Sequence, residues 1–262
     1  MPRPERTRDL VAAGDARIDV IAEGAGPLVV LLPSRGRDSE DYDEVAAGIA
    51  KAGYRVLRPQ PRGTCRSTGP MTGLTLHDFA RDVAAVIAHA DGGPAVVAGH
   101  AFGNWVARMI AADHPRLVRG VAILAAAAKT YPKALAEAVT RSADITLADA
   151  ERLGYLRSTF FAPGHDASVW LKGWYPDVNA SQFAAGRATR QEEWWGAGRA
   201  PLLDLQAALD PFKPRETTSE LKEEFGERVT IAVIADASHA LIPEQPAAVV
   251  AAIVAWIRTL RR

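Results

Sequence analysis

Short unbroken apolar runs alternate along this chain with stretches whose apolar residues recur every three or four positions. The runs at 28–32, 54–57, 95–98 and 121–124 are rich in Val, Ile and Leu, which predicts strands buried on both faces of a parallel sheet. Between them, 43–52, 75–90 and 104–113 carry helical spacing and end near Gly or Pro, so each predicts a helix. Ahead of these, 10–13 and 17–22 flank Gly14-Asp15 and predict an antiparallel hairpin. The rhythm breaks from Lys129 to about Arg199, a stretch of helical segments with several Gly, Pro and large aromatics. It returns with strands at 202–206 and 229–234 and a closing helix at 247–260. This alternation predicts an α/β chain built on a mostly parallel, doubly wound sheet. Residues 1–128 and 200–262 form its core domain, and 129–199 a helical cap over the carboxyl edge of the sheet, where open α/β sheets hold their ligands.

Composition narrows the partner. Lys plus Arg and Asp plus Glu are equal at 31 each in 262 residues, so no net field favours nucleic acid or an anionic membrane. A neutral or hydrophobic small molecule is the expected ligand; oligomeric state is not legible. The start of the chain, 1–9, is charged and lacks the apolar stretch of a signal peptide or anchor. No apolar run reaches the length of a membrane span, and the single cysteine, Cys65, excludes an internal disulfide and fits a cytoplasmic location. Cys65 is expected to be partly buried and inert.

The segment VVAGHAFGNWVARM, starting at Val96, carries the chemistry. An apolar strand runs into Gly99-His100-Ala101-Phe102-Gly103 and on into a helix; the two glycines allow a turn so tight that the central side chain projects above the sheet. That position ordinarily holds a serine nucleophile, and here it holds Ala101. Late in the chain, Asp210 follows a strand in LLDLQAALDPFKP, and His239 follows another in AVIADASHALIPEQP. A carboxylate that fixes one imidazole tautomer lets the ring take a proton and hold the resulting charge. Asp236, three residues before His239, is the rival acid.

The strand order, the turn GHAFG, and the late Asp and His resemble the α/β-hydrolase fold family over nearly the whole chain. The resemblance implies a sheet of that type and a catalytic set in the order nucleophile, acid, histidine: the Ala101 position, Asp210 and His239. It also implies an oxyanion hole from the backbone N–H groups of Arg35 and Phe102. The chain departs from it in Pro33-Ser34, where many relatives carry His-Gly, and in Cys65, where a glycine is common. Arg35 and Arg37 read equally well as solvated loop charges.

Ser34, Trp105, Trp170, Trp174, Trp194 and Trp195 are candidate substrate-binding residues, although aromatics in a cap serve packing as readily. His77, His89, His100, His114 and His165 are scattered without metal-ligand spacing, and no phosphate loop or dinucleotide fingerprint occurs, so neither metal nor cofactor is expected. The function expected is serine-type hydrolysis of an ester, lactone or related acyl bond, blocked or impaired at Ala101. Either a natural serine has been replaced at 101, or alanine is native. The alternative from another class is a protein that binds its ligand without turnover, or one in which the His239–Asp210 pair acts directly as a general base.

Overall fold

A computed structural model describes residues 5–260. The first four residues of the charged start therefore lie outside the described residues, as do the last two of the core domain. The predicted hairpin is longer at both ends: β1 (Arg6–Ala13) and β2 (Ala16–Glu23) turn around Gly14, whose φ of 62° suits glycine. Then follow β3 (Leu28–Leu32), α1 (Asp43–Lys51), β4 (Arg55–Pro59), α2 (Leu76–His89), β5 (Ala95–His100), α3 (Phe102–Asp113) and β6 (Val118–Leu124). The segment 129–199 contributes α4 (Lys133–Ala143), α5 (Asp149–Thr159), α6 (Pro176–Ala188) and α7 (Gln191–Trp194). The chain closes with β7 (Leu202–Ala207), α8 (Glu220–Phe225), β8 (Val229–Ile234), α9 (Leu241–Glu244) and α10 (Pro246–Thr259).

The strands form one sheet in the order β1-β2-β4-β3-β5-β6-β7-β8. Only the β1/β2 and β2/β4 pairs are antiparallel. Every residue of β3, β5 and β7 is buried, because helices cover both faces. One face packs against α2 and α3 through Val83, Val86, Ile87, Val106 and Ile110, and the other against α1 and α10 through Val45, Ile49, Val249 and Ile253. At the start of α2, the Asp78 carboxylate accepts the Thr75 N–H at 2.8 Å and satisfies a donor the helix leaves open.

Register decides where the loops meet. Leu32 pairs with Gly99, His100 with Leu124, and Leu124 with Leu205, so the carboxyl ends of β3, β5, β6 and β7 lie side by side. The loops that follow them open onto one edge, and the inserted helices sit between β6 and β7 in the chain. The insertion has its own apolar centre of Leu156, Phe160, Phe161, Trp170 and Trp174, to which Ala240 of the loop after β8 also belongs. The Ala240 N–H donates to the Phe160 carbonyl at 2.7 Å and joins the two.

Candidate functional site

Ala101 sits between β5 and α3 with φ 48° and ψ −115°, a left-handed conformation that costs a residue with a Cβ about 1–3 kcal/mol. Its neighbours hold it there. The Ala101 N–H donates to the Leu124 carbonyl at 3.1 Å, and its own carbonyl accepts the Asn104 backbone N–H, also at 3.1 Å, together with the Asn104 side-chain amide. The flanking glycines are required by crowding: a Cβ on Gly99 would stand 2.1 Å from the Gly103 carbonyl oxygen. One on Gly103 would stand 2.5 and 2.6 Å from the carbonyl oxygens of Leu32 and Pro33. The turn thus presses α3 against both β5 and the loop after β3, and leaves the Cβ of residue 101 at the sheet edge.

The loops after β7 and β8 bring the acid and the imidazole together. Asp210 and His239 are both buried, and His239 Nδ1 lies 2.9 Å from Asp210 Oδ2. The other carboxylate oxygen accepts the Phe212 N–H at 2.8 Å, which fixes the plane of the carboxylate. With Nδ1–H given to Asp210, the His239 Nε2 lone pair is left to accept a proton. Asp236 is exposed, and its side chain meets His165 and Gln245, so the acid beside His239 is Asp210.

His239, Ala101 and the loop after β3 share a cavity of about 60 Å³. Ser34 and Arg35 line it from that loop, Phe102, Asn104 and Trp105 from α3, Phe212 from the loop after β7, and Tyr131, Val139 and Phe160 from the insertion. The backbone N–H groups of Arg35 and Phe102, both in residues of this wall, have no protein acceptor among the described residues. Such an arrangement can seat a carbonyl group between two donors and a base.

Several expectations about side chains change here. Trp170, Trp174, Trp194 and Trp195 do not line the cavity: all are buried in packing, the first two in the insertion's own centre and the last two against α3. Trp194 stacks on Trp105 with ring centroids 5.1 Å apart and so stands behind the cavity wall. Arg37 is no solvated loop charge. It is 1% exposed, its guanidinium carbon lies 4.7 Å from the ring centroids of both Trp170 and Trp174, and it pairs with Asp41. Arg35 is also largely withdrawn from water. Cys65, expected to be partly buried, is exposed, and the partial desolvation of its sulfur together with nearby Asp38 raises its pKa.

The sequence reading missed Asn104, Tyr131, Val139 and Phe212 as lining residues, and His100 and Tyr42 behind them. Asn104 alone carried a local signal, since a helix residue three places after the turn faces the same way as its start. Among the described residues, no group of three or more His, Cys, Asp or Glu side chains is arranged to hold a metal ion, and no helix is long and apolar enough to cross a membrane.

Comparison with known proteins agrees with the fold. The family described as the alpha/beta hydrolase fold matches residues 27–159. A pyrrolizixenacetamide deacetylase of Xenorhabdus hominickii is 31% identical over 117 residues, 44% of this chain and 44% of that protein. The chain spans less than half the length of the curated relatives it matches. Among solved structures, E-2-(acetamidomethylene)succinate hydrolase superposes with a TM-score of 0.81 at 19% identity, covering 97% of this chain and 100% of that one. An esterase from Exiguobacterium antarcticum gives 0.81 at 17% identity, with 97% and 100% covered. The glycine-flanked turn after β5, the eight-stranded sheet and the matched family together place this chain in the α/β-hydrolase fold family.

Proposed function

We propose that the chain acts on an ester, lactone or related acyl bond of a small, largely hydrophobic molecule, and that the helical insertion is the cap under which this molecule lies. One observation carries the reading: a single cavity collects the nucleophile position, the His239–Asp210 pair and two open backbone donors. Relatives named as a deacetylase and as a hydrolase support a hydrolytic reaction. In this reading the ligand's carbonyl oxygen lies toward the N–H groups of Arg35 and Phe102, and residue 101 would supply the attacking hydroxyl. Ala101 cannot supply it, so the covalent route is closed in this chain.

The test is the rate of p-nitrophenyl ester hydrolysis before and after Ala101→Ser. Disabling a nucleophile in such a set removes most of the rate, so the serine form should gain roughly 10³-fold or more. Equal rates would overturn the reading. The intact His239–Asp210 pair also favours a second reading, in which His239 takes a proton from water or from the ligand directly. Under it the chain with Ala101 has an activity of its own that disappears in His239→Ala.

A further inference from the structure

Arginines withdrawn from water in this fold are, as a rule, given a carboxylate. Arg37 pairs with Asp41, Arg58 with Glu23 and Asp43, and Arg62 with Asp82. The fully buried Arg108 breaks the rule, and so does Arg35. Among the described residues no carboxylate lies within ion-pair distance of Arg35, and its Nε is buried without a hydrogen-bond partner. Its guanidinium carbon lies 5.1 Å from the centroid of Phe183 in α6, a contact that steadies the group without neutralising it. The residue is intermediate in exposure; burying its Nε without a partner is unfavourable, and the desolvation accordingly lowers its pKa.

Its surroundings give this cation a use. Arg35 lines the cavity that holds Ala101 and His239, whereas the fully buried Arg108 is closed in by Trp194 and Trp195 and does not line it. Within the cavity wall, Asp210 is committed to His239 and to the Phe212 N–H, so the protein offers Arg35 no anion from there. The Asn104 Oδ1 in the same wall is also buried and unpartnered, an acceptor that a donor on a ligand could meet. A guanidinium presents a planar fork of donors that matches a carboxylate with two parallel hydrogen bonds. A single fork without a second unpaired cation in the cavity wall suits one negative charge better than a phosphate dianion.

We propose that Arg35 is a specificity residue that binds a carboxylate on the ligand, so that the acyl compound taken by this cavity carries one negative charge beside an apolar portion. The proposal rests on the acyl reading for the reacting bond and adds the charge. Arg35 then serves twice, its backbone N–H toward the acyl oxygen and its side chain toward the carboxylate. A short spacer must separate the two groups of the ligand. The ligand expected from composition alone, neutral or apolar, becomes a hydrophobic monoanion.

The test uses the chain with Ala101, which binds without covalent turnover, and two probes: monobenzyl glutarate and the neutral benzyl methyl glutarate. Calorimetric titration at pH 7.5 should show the monoanion binding roughly tenfold tighter or more, the size of a hydrogen bond to a charged group. The preference should shrink with added salt and vanish in Arg35→Met, with folding checked by thermal melting; Arg35→Gln gives the same readout should the methionine variant not fold. Equal binding of the two probes, no binding of either, or a preference that survives in the variants would overturn the proposal. Hydrolysis by the Ala101→Ser form is read separately. A preserved charge preference without turnover removes the acyl reading and keeps the anion site, while turnover without the preference does the reverse.

Discussion

His100, next to Ala101 in the chain, is fully buried and bonded at both ring nitrogens. The Ser34 N–H donates to the Tyr42 hydroxyl at 2.9 Å, that hydroxyl donates to His100 Nδ1 at 2.8 Å, and His100 Nε2–H donates to the His239 carbonyl at 2.7 Å. One neutral ring therefore ties the loop after β3 to the backbone of the candidate base. Burial, with nearby His239 adding to it, lowers its pKa from 6.5 to about 3. In the unfolded chain the ring takes a proton near 6.5 and in the folded protein it resists, so its contribution is complete above that value. It is lost as pH falls from 6.5 toward 3, to an extent of roughly 5 kcal/mol in all. Denaturant unfolding from pH 7 to pH 4 should show the parent losing stability with a steeper slope than His100→Gln; parallel slopes would remove His100 as the cause. The sequence placed this residue among scattered histidines because its partners are 58 and 139 positions away. Ala101, Asp210 and His239 were legible because each carries a local mark, a glycine-flanked turn or a loop just past an apolar run.

Among the elements, the strands were the most legible. A strand buried on both faces must be apolar throughout, and β3 falls on the predicted residues and is buried along its length. β8 also falls on the predicted residues, but it is the edge strand and exposes Ile231 and Val233, so its apolar run did not mean burial on both faces. β6 begins three residues earlier than predicted, since Arg119 and Gly120 interrupt the apolar run and the pairing with β5 shifts register at Arg119 without ending the strand. The insertion was legible as helical and aromatic, but the purpose of its aromatics was not. Trp170 and Trp174 close around the Arg37 guanidinium, and Arg37 arrives from the loop after β3, more than a hundred residues away. A reading of the insertion by itself finds more aromatic surface than a thin layer of helices needs. The missing packing partner belongs to another part of the chain. Truncating Trp170 or Trp174 to Ala should accordingly cost about 3–5 kcal/mol of folding stability, as for a large buried aromatic. Trp105→Ala, in the cavity wall, should instead weaken binding of monobenzyl glutarate by about 1–3 kcal/mol while costing less stability. Denaturant melts and titrations of the three variants check both halves. Trp170→Ala and Trp174→Ala proteins that melt like the parent and lose affinity would return these residues to the cavity.

Over the whole molecule, the insertion must be held onto the sheet for the cavity to exist, and part of that hold is titratable. His77, on the first turn of α2, bridges Asp113 at the end of α3 (Nδ1 to Oδ2, 2.7 Å) and Glu193 in α7 (Nε2 to Oε2, 3.0 Å). The hydrogen bond to Asp113, followed by that to Glu193, outweighs desolvation and raises the His77 pKa above 6.5. A raised value means that the folded protein binds the proton more tightly than the unfolded chain. The contribution is therefore fully present below about 6.5 and disappears as pH rises through the folded value. The ring is 41% exposed, so solvent and salt screen the bridge and the effect is modest. A neighbouring bond at the same junction, the Leu76 N–H to Thr189 Oγ1 at 2.9 Å, joins α2 to the insertion without a titrating group and serves as the control. Melting temperatures at low ionic strength should separate His77→Gln from the parent at pH 6 and bring the two together at pH 9. Thr189→Val should stay below the parent by a similar margin at both values. A His77→Gln gap that is as wide at pH 9 as at pH 6 would show that the ring holds the insertion by packing alone, with its charge contributing nothing to the closure of the cavity.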